Sequence, residues 1–367
     1  MINVWSYLEE YNTEKVEILG AIESVLSSGQ LILGPNVEKF ENEFANWCSS
    51  TYGIGVANGT DAIFLACKAL GLKDGDEVIT VSNTAVPTVS AITAAGGIPI
   101  FVDIDPESYL MDTESVLSKI TNKTKLIVPV HLYGQAVDMD PLIEIASDKK
   151  LGIIEDCAQA HGALYKGQKV GSIGDIGAFS FYPTKILGTF GDGGLCTTNS
   201  VVLRDKLKRL RFYGMDGRYY SEEQGYNSRL DEIHASILLK KLNHLDDYII
   251  RRRSIADRYT EHLQGTNYIL PKELQNTYHA FYLYVVQHPQ RDRIMKGLAE
   301  NDIKVNISYP WPIHTMTGFA DYSINCQLAN TEFVADRIFS LPMYPSLTKE
   351  HQDYVVEKLI QLDKQHG

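Results

Sequence analysis

Two stretches hold residue types whose spacing can do chemistry. In Gly177-Ala178-Phe179-Ser180-Phe181-Tyr182-Pro183-Thr184-Lys185, an apolar segment reads as a buried strand, breaks at Pro183 and delivers a lysine. Leu187-Gly188 and the run Gly191-Asp192-Gly193-Gly194 follow. An amine in a glycine-rich turn just past a buried strand can be desolvated against a cleft, as an amine needs to be if it is to attack a carbonyl and hold it as an imine. A solvated turn lysine is the competing reading. The second stretch is Gly152-Ile153-Ile154-Glu155-Asp156-Cys157-Ala158-Gln159-Ala160-His161-Gly162, a strand that ends in a carboxylate with an amide three residues on. The carboxyl ends of parallel strands are where an α/β sheet binds ligands. There Asp156 can hold a heteroaromatic nitrogen protonated and Gln159 can bond a ring oxygen. Capping or ion pairing is the alternative for the aspartate alone.

A third stretch, Asn58-Gly59-Thr60-Asp61-Ala62, joins a strand to a helix. Glycine lets backbone approach an anion, and a helix N-terminus offers free amides and the positive end of a dipole. Gly59 and Thr60 are thus phosphate-binding candidates, with N-capping by Asn58 or Thr60 as the alternative. Ser180 can bring a second hydroxyl to the same phosphate or simply bond backbone.

Taken with Val130-His131-Leu132-Tyr133-Gly134 and Gly225-Tyr226-Asn227-Ser228-Arg229-Leu230, these stretches resemble the pyridoxal-phosphate (PLP) sugar aminotransferases of the DegT/DnrJ/EryC1/StrS family, and they occur in that family's order. The resemblance implies the type I aminotransferase fold. It implies that Lys185 holds PLP as an imine and shuttles protons, that Asp156 protects the pyridine nitrogen's proton, and that Gly59, Thr60 and Ser180 bind the phosphate. Asn227 is expected to reach the phosphate of a neighbouring subunit, so the working unit would be a homodimer with shared sites. The substrates implied are an amino acid, L-glutamate by analogy, and a nucleotide-linked keto-deoxysugar, with pyridoxamine 5'-phosphate as the half-reaction form. The expectation is amination of a dTDP-3-keto-6-deoxyhexose at C3 for aminosugar and surface-glycan synthesis. Amination at C4 of a dTDP- or UDP-4-keto-6-deoxysugar is the alternative. His161, Arg229 and His314 are substrate-site candidates, each against a structural role. The chain departs from many relatives in Val81-Ser82-Asn83-Thr84-Ala85-Val86-Pro87-Thr88, which has no aromatic to stack on the cofactor ring. If Ala85 or Val86 faces that ring, the contact is aliphatic or comes from elsewhere.

Other classes fit less well. The dehydratase branch lacks the lysine that is present here. A non-catalytic regulator of this fold predicts a degraded Asp/Lys pair. A nicotinamide oxidoreductase needs a GxGxxG turn in its first βα unit, which is absent.

Positioning these residues requires a sheet. Strands are predicted at 53–57, 77–81, 98–103, 125–130, 152–156, 178–181 and 195–198, with helices or glycine-rich loops between them. This alternation predicts a large, mostly parallel seven-stranded α/β domain over residues 1–240, covered on both faces. A smaller α+β domain is expected over 241–367, with a helix near 248–263, strands at 280–286 and 303–307, and helices near 291–300 and 349–362. Before the sheet, an arm over 1–12 leads into a helix over 13–28 whose apolar face is Val16, Leu19, Ile22 and Leu26, with Thr13 as a cap. A helix over 36–47 carries Val37, Phe40, Glu41 and Phe44 at helical spacing, its aromatics read as core rather than cofactor contacts. The run Arg251-Arg252-Arg253 reads as a solvated helix face.

Bulk properties narrow the setting. At 367 residues the chain can bury a large core, and 44% hydrophobic with 22% charged residues is ordinary for a globular protein. A formal net charge of −12 argues against nucleic acid or anionic membrane as a partner. Five scattered cysteines without CxxC pairs suit a reducing cytoplasm, and ten histidines without ligand spacing suggest no catalytic metal. The N-terminal residues show no signal-peptide pattern and no run is apolar enough to span a bilayer, so a cytoplasmic protein is expected.

Overall fold

The computed structural model describes residues 1–217, 219–324 and 326–366. Seven strands form the main sheet: β1 (Tyr52–Val56), β2 (Glu77–Val81), β3 (Ile98–Val102), β4 (Thr124–Ile127), β5 (Gly152–Asp156), β6 (Ile176–Ser180) and β7 (Gly194–Thr198). Their order across the sheet is β1-β7-β6-β5-β4-β2-β3. The run from β6 to β3 is parallel, whereas β7 is antiparallel to both β6 and β1. β1 therefore points the same way as the parallel strands, and β7 alone is reversed. This reversal follows from the connection. After β6 the chain turns back at once through the loop that carries Lys185, without the crossover helix a parallel neighbour needs.

Both faces of the sheet are covered. On one lie helix α2 (Pro35–Trp47), with Val37, Phe40 and Phe44 buried, and much of the largest core. On the other lies helix α3 (Gly59–Ala69), which buries Ala62, Ile63, Leu65, Ala66 and Cys67. Strands shut in on two sides are apolar without alternation, and every residue of β6 and β7 is buried. The N-terminus of α2 is closed by a distant acid. Glu232, fully buried at the start of helix α5 (Glu232–Leu242), accepts from the amides of Gly34, Asn36 and Val37 at 2.8–3.0 Å. Free amides at a helix start favour a carboxylate there.

The first helix departs from expectation. It begins at Leu8 rather than Thr13, whose hydroxyl donates to the Glu9 carbonyl inside the helix. Glu14, Ile18, Ala21 and Val25 are buried, while Val16 is 85% exposed and Leu19 and Leu26 are also outside. The predicted apolar face is real but lies away from this chain's own core. The stripe Glu14, Ile18, Ala21 and Val25 turns inward instead, and the helix packs on α5.

A further core gathers Ile255 through Leu362 together with Ile2. Helix α6 (Leu245–Leu263) serves both regions, because Leu245, Tyr248 and Ile249 join the sheet core and Ile255, Tyr259 and Leu263 the further one. The arginine run on this helix is not a solvated face. Arg252 is 2% exposed, and its Nη1 donates to the carbonyls of Phe281, Tyr282 and Met343. Arg253 stacks on Tyr278 and pairs with Glu273, and only Arg251 is largely free of the core. Polarity alone hid this, because a guanidinium can enter a core where carbonyls face it. The strand expected at 280–286 is shorter, β8 (Tyr284–Gln287), because Phe281 is left-handed at φ 47°. Its antiparallel partner β9 (Ile338–Leu341) was not foreseen, and residues 303–307 make only isolated bridges. Among the described residues no helix is long and apolar enough to cross a membrane.

Candidate active site

With β1, β2, β5 and β6 running the same way, their carboxyl ends meet at one edge of the sheet. A cavity of about 630 Å³ opens there, lined among others by Gly59, Thr60, Asp156, Gln159, Ser180 and Lys185. Stretches far apart in sequence thus share one wall.

The Lys185 turn follows from its sequence. β6 ends at Ser180 in register with Gly194 of β7, and the Lys185 amide bonds the Tyr182 carbonyl to close the turn. The Lys185 amine lies 4.7 Å from the centre of the Tyr282 ring, whose hydroxyl is 3.0 Å from Thr184 Oγ1. An aromatic face is a good seat for an ammonium. Lys185 is the one cation among the described residues lining the cavity, against Asp61, Asp156 and Asp192.

Asp156 ends β5 and is 4% exposed. Its Oδ1 accepts from the Ala158 amide at 3.1 Å and its Oδ2 from the Thr88 hydroxyl at 2.8 Å. Burial raises its pKa, opposed by those two donors and by the nearby Lys185. Beneath it, the His131 amide donates to the Asp156 carbonyl. The His131 ring accepts from Val137 N–H through Nδ1, so its Nε2 proton faces Glu155 at 3.0 Å. Burial acts to raise the Glu155 pKa, but His131 and the amides of Gly171 and Gly174 outweigh it and hold the carboxyl below its ordinary value. Cys157 lies close enough to complete a three-ligand group with this pair. The donors of His131 and Glu155 are already engaged, however, and the cluster reads as a strand-anchoring network. Gln159 accepts from Tyr133 N–H at 2.8 Å and donates to the Tyr309 hydroxyl at 2.7 Å, which leaves its second amide proton for the cavity.

At the end of β1, Asn58 caps α3 by accepting from Asp61 N–H at 2.8 Å. Gly59 and Thr60 open that helix toward the cavity, and Ser180 lies alongside. A Cβ on Gly59 would sit 2.6 Å from Ser180 Cβ, so no larger residue fits without displacement. The two readings of this stretch are compatible, since Asn58 caps while the amides of the next residues stay open.

This arrangement suits PLP. It offers an amine for the aldehyde, a buried carboxylate with lone pairs remaining for a pyridinium N–H, and a glycine-opened helix start with two hydroxyls for the phosphate. Residues 12–360 match the DegT/DnrJ/EryC1/StrS aminotransferase family. The chain belongs to that family. It is 52% identical over 96% of both chains to a dTDP-3-amino-3,4,6-trideoxy-alpha-D-glucose transaminase of Micromonospora megalomicea subsp. nigra. It is 43% identical to a pleiotropic regulatory protein of Geobacillus stearothermophilus, over 96% of this chain and 95% of that one. The solved structure of S. venezuelae DesV in complex with a ketimine intermediate superposes with a TM-score of 0.97 at 37% identity, covering 99% of this chain and 98% of that one.

Within this aminotransferase several candidates fall outside the cavity. His161 is fully buried between Phe44, Phe179 and Phe181, with neither ring nitrogen bonded, and burial pushes its pKa down to about 3. Its place two residues after Gln159 suggested substrate contact, but the chain turns its ring into the core. His314 is held by Ser82 at 2.7 Å and Glu332 at 3.1 Å. Arg229 lies over the Phe212 ring, in keeping with a structural role. Asn227 is exposed, pairs its backbone with Phe212 and does not line its own chain's cavity. Of the two aliphatic candidates for the ring wall, Ala85 lines the cavity, whereas Val86 starts helix α4 (Val86–Ala94) away from it. Thr84, Thr88 and Asp192 line it too, and none was singled out from sequence. The glycine run around Asp192 was the available signal for that residue.

Proposed function

We propose that this enzyme moves an amino group from L-glutamate to a dTDP-3-keto-6-deoxyhexose at C3, in the cytoplasm, for aminosugar and surface-glycan synthesis. The observation that carries the reading is the convergence of Lys185, Asp156 and the Gly59–Ser180 cradle on one cavity. The choice of C3 and dTDP is supported by the Micromonospora relative, whose name specifies a dTDP-3-amino sugar. The regulatory relative raises a non-catalytic alternative, but an intact lysine and carboxylate in one cavity favour turnover.

PLP, when bound, would supply an electron sink for chemistry at the donor's α-carbon. Lys185 Nζ would hold the cofactor through its aldehyde carbon, and the same amine is placed to act as general base toward the donor's α-proton. The later return of a proton falls to the same amine. Asp156 accepts the pyridinium N–H and so keeps that nitrogen protonated. Gly59, Thr60 and Ser180 hold the phosphate, and the spare Gln159 amide proton is available to the ring oxygen. Ala85 supplies an aliphatic wall where an aromatic is usual in relatives.

The assembly proposed is a homodimer with Asn227 donating into the partner's site. Three carboxylates face one amine in the cavity, so a phosphate there gains from donors beyond this chain's own. The exposed apolar stripe of the first helix (Leu8–Ser28) is the kind of surface another subunit covers.

The test is a two-stage absorbance experiment on PLP-loaded protein. Glutamate is added, excess donor is removed, and 3-keto and 4-keto sugar nucleotides are offered separately. Recovery of the original band with the 3-keto sugar alone is expected. Recovery with the 4-keto sugar alone overturns the assignment of C3, and no response to glutamate overturns the donor.

A further inference from the structure

Asp156 receives hydrogen bonds of two different origins. The Ala158 amide is local, two residues on, whereas the Thr88 hydroxyl comes from α4, which follows a different strand. Thr88 Oγ1 lies in turn 2.8 Å from Thr84 Oγ1, and both threonines are 1% exposed. The direction of these bonds is fixed by chemistry. Thr88 Oγ1 donates to Asp156 Oδ2, which uses its single proton, so Thr84 must donate to Thr88. The chain runs Thr84 to Thr88 to Asp156, each donor polarised by the next acceptor.

We infer that Thr84 and Thr88 are positioning residues that keep Asp156 ionised and aimed at the ring nitrogen of the bound cofactor. The inference rests on the role of Asp156 proposed above. A buried carboxyl tends to take up a proton, and a protonated one would present an O–H where a pyridinium N–H needs an acceptor. The Thr88 bond heads the influences that oppose this protonation. Geometry adds a second effect. With Oδ2 tied to α4 and Oδ1 to the turn at Ala158, the carboxylate cannot rotate freely, and the lone pairs left over are held in one direction. The Thr88 amide also bonds the Ala85 carbonyl at 3.2 Å, which joins this support to the wall that carries Ala85.

The experiment uses full-length enzyme loaded with PLP carrying ¹⁵N in its ring. Thr88→Val removes the hydroxyl at nearly constant volume, Thr88→Ser keeps it, and Thr84→Val removes only the outer donor. The ring-nitrogen shift is followed against pH by NMR, alongside kcat and KM for glutamate. Thr88→Val is expected to retain the lysine-bound absorbance yet release the ring proton about one pH unit lower, equivalent to about tenfold in the protonation equilibrium. Its kcat should fall by about tenfold or more with KM little changed, as for loss of an interaction that matters in the transition state. Thr88→Ser should restore both readouts, and Thr84→Val should move both in the same direction by less. A Thr88→Val enzyme with wild-type titration and kcat overturns the inference. Should that variant not fold, an unchanged titration in Thr84→Val overturns it. Asp156→Asn separates the two levels. If it too leaves the titration unchanged, the Asp156 reading fails, and if it moves the titration while Thr88→Val does not, only the threonine relay fails.

Discussion

Ser180 and Gly59 meet so closely that a methyl group on the glycine would lie 2.6 Å from the serine Cβ. This contact joins the end of β6 to the start of α3 and sets the spacing of the proposed phosphate cradle. The Lys185 turn leaves the same end of β6, so the cradle and the amine share one support.

Gly59→Ala should therefore harm both fold and cofactor binding. Overpacking of a tight contact costs about 1–3 kcal/mol. Thermal melting of the cofactor-free protein and a PLP titration should both shift. Unchanged melting and affinity would show that the backbone relaxes at no cost.

Removing the amine or changing the carboxylate should separate binding from turnover. Lys185→Ala should lose the lysine-bound absorbance and, as a missing general base, at least ~10²-fold in amino transfer. Asp156→Asn should still take up PLP but react far more slowly. Stopped-flow absorbance with glutamate reads both, and near wild-type rates in either variant would remove its assigned role.

His161 predicts an acid sensitivity unrelated to catalysis. Its folded pKa, about 3, lies below the ordinary histidine value of 6.5, so on acidification the unfolded chain takes up a proton that the folded one refuses. Its contribution is fully present above about pH 6.5 and is lost progressively down to about pH 3. His161→Leu should flatten the fall in urea stability between pH 6.5 and 5 by about 2 kcal/mol, one proton's worth over that range. It should leave kcat within about threefold, given that the ring lies outside the cavity. An identical slope in the variant would show that the ring is already charged in the folded protein.

Arg252 should matter for stability despite sitting in a basic run. Arg252→Met leaves three carbonyls without their shared donor, at a cost of about 2–4 kcal/mol. Urea denaturation measures this, and a loss below about 0.5 kcal/mol would place the side chain among ordinary surface residues.

Shared sites can be read by mixing chains. Lys185→Ala and Asn227→Ala subunits, each inactive or weak alone, should regain activity together, with roughly a quarter of sites intact at equal mixing in a homodimer. No recovery after verified subunit exchange would confine Asn227 to its own chain.

The sheet was legible because strands buried on both faces must be apolar throughout and must end in turn residues. All seven were anticipated, with ends differing by at most a few residues. That Lys185, Asp156, Gly59 and Ser180 would line one cavity was legible as well, because a strand end followed by glycine or proline marks the ligand edge of such a sheet. The sequence by itself thus determined which stretches carry reactive groups and that a parallel sheet would present them. Only the tertiary structure decided which side chains turn into the cavity. His161 points into an aromatic core, Arg252 is drawn inward by carbonyls from two other segments, and Val16 and Leu26 face away from this chain's interior. The Thr84–Thr88–Asp156 chain spans β2 to β5. Periodicity reports the shape of one element at a time, whereas burial and hydrogen bonding are set by which elements meet, and that is a property of the packed chain.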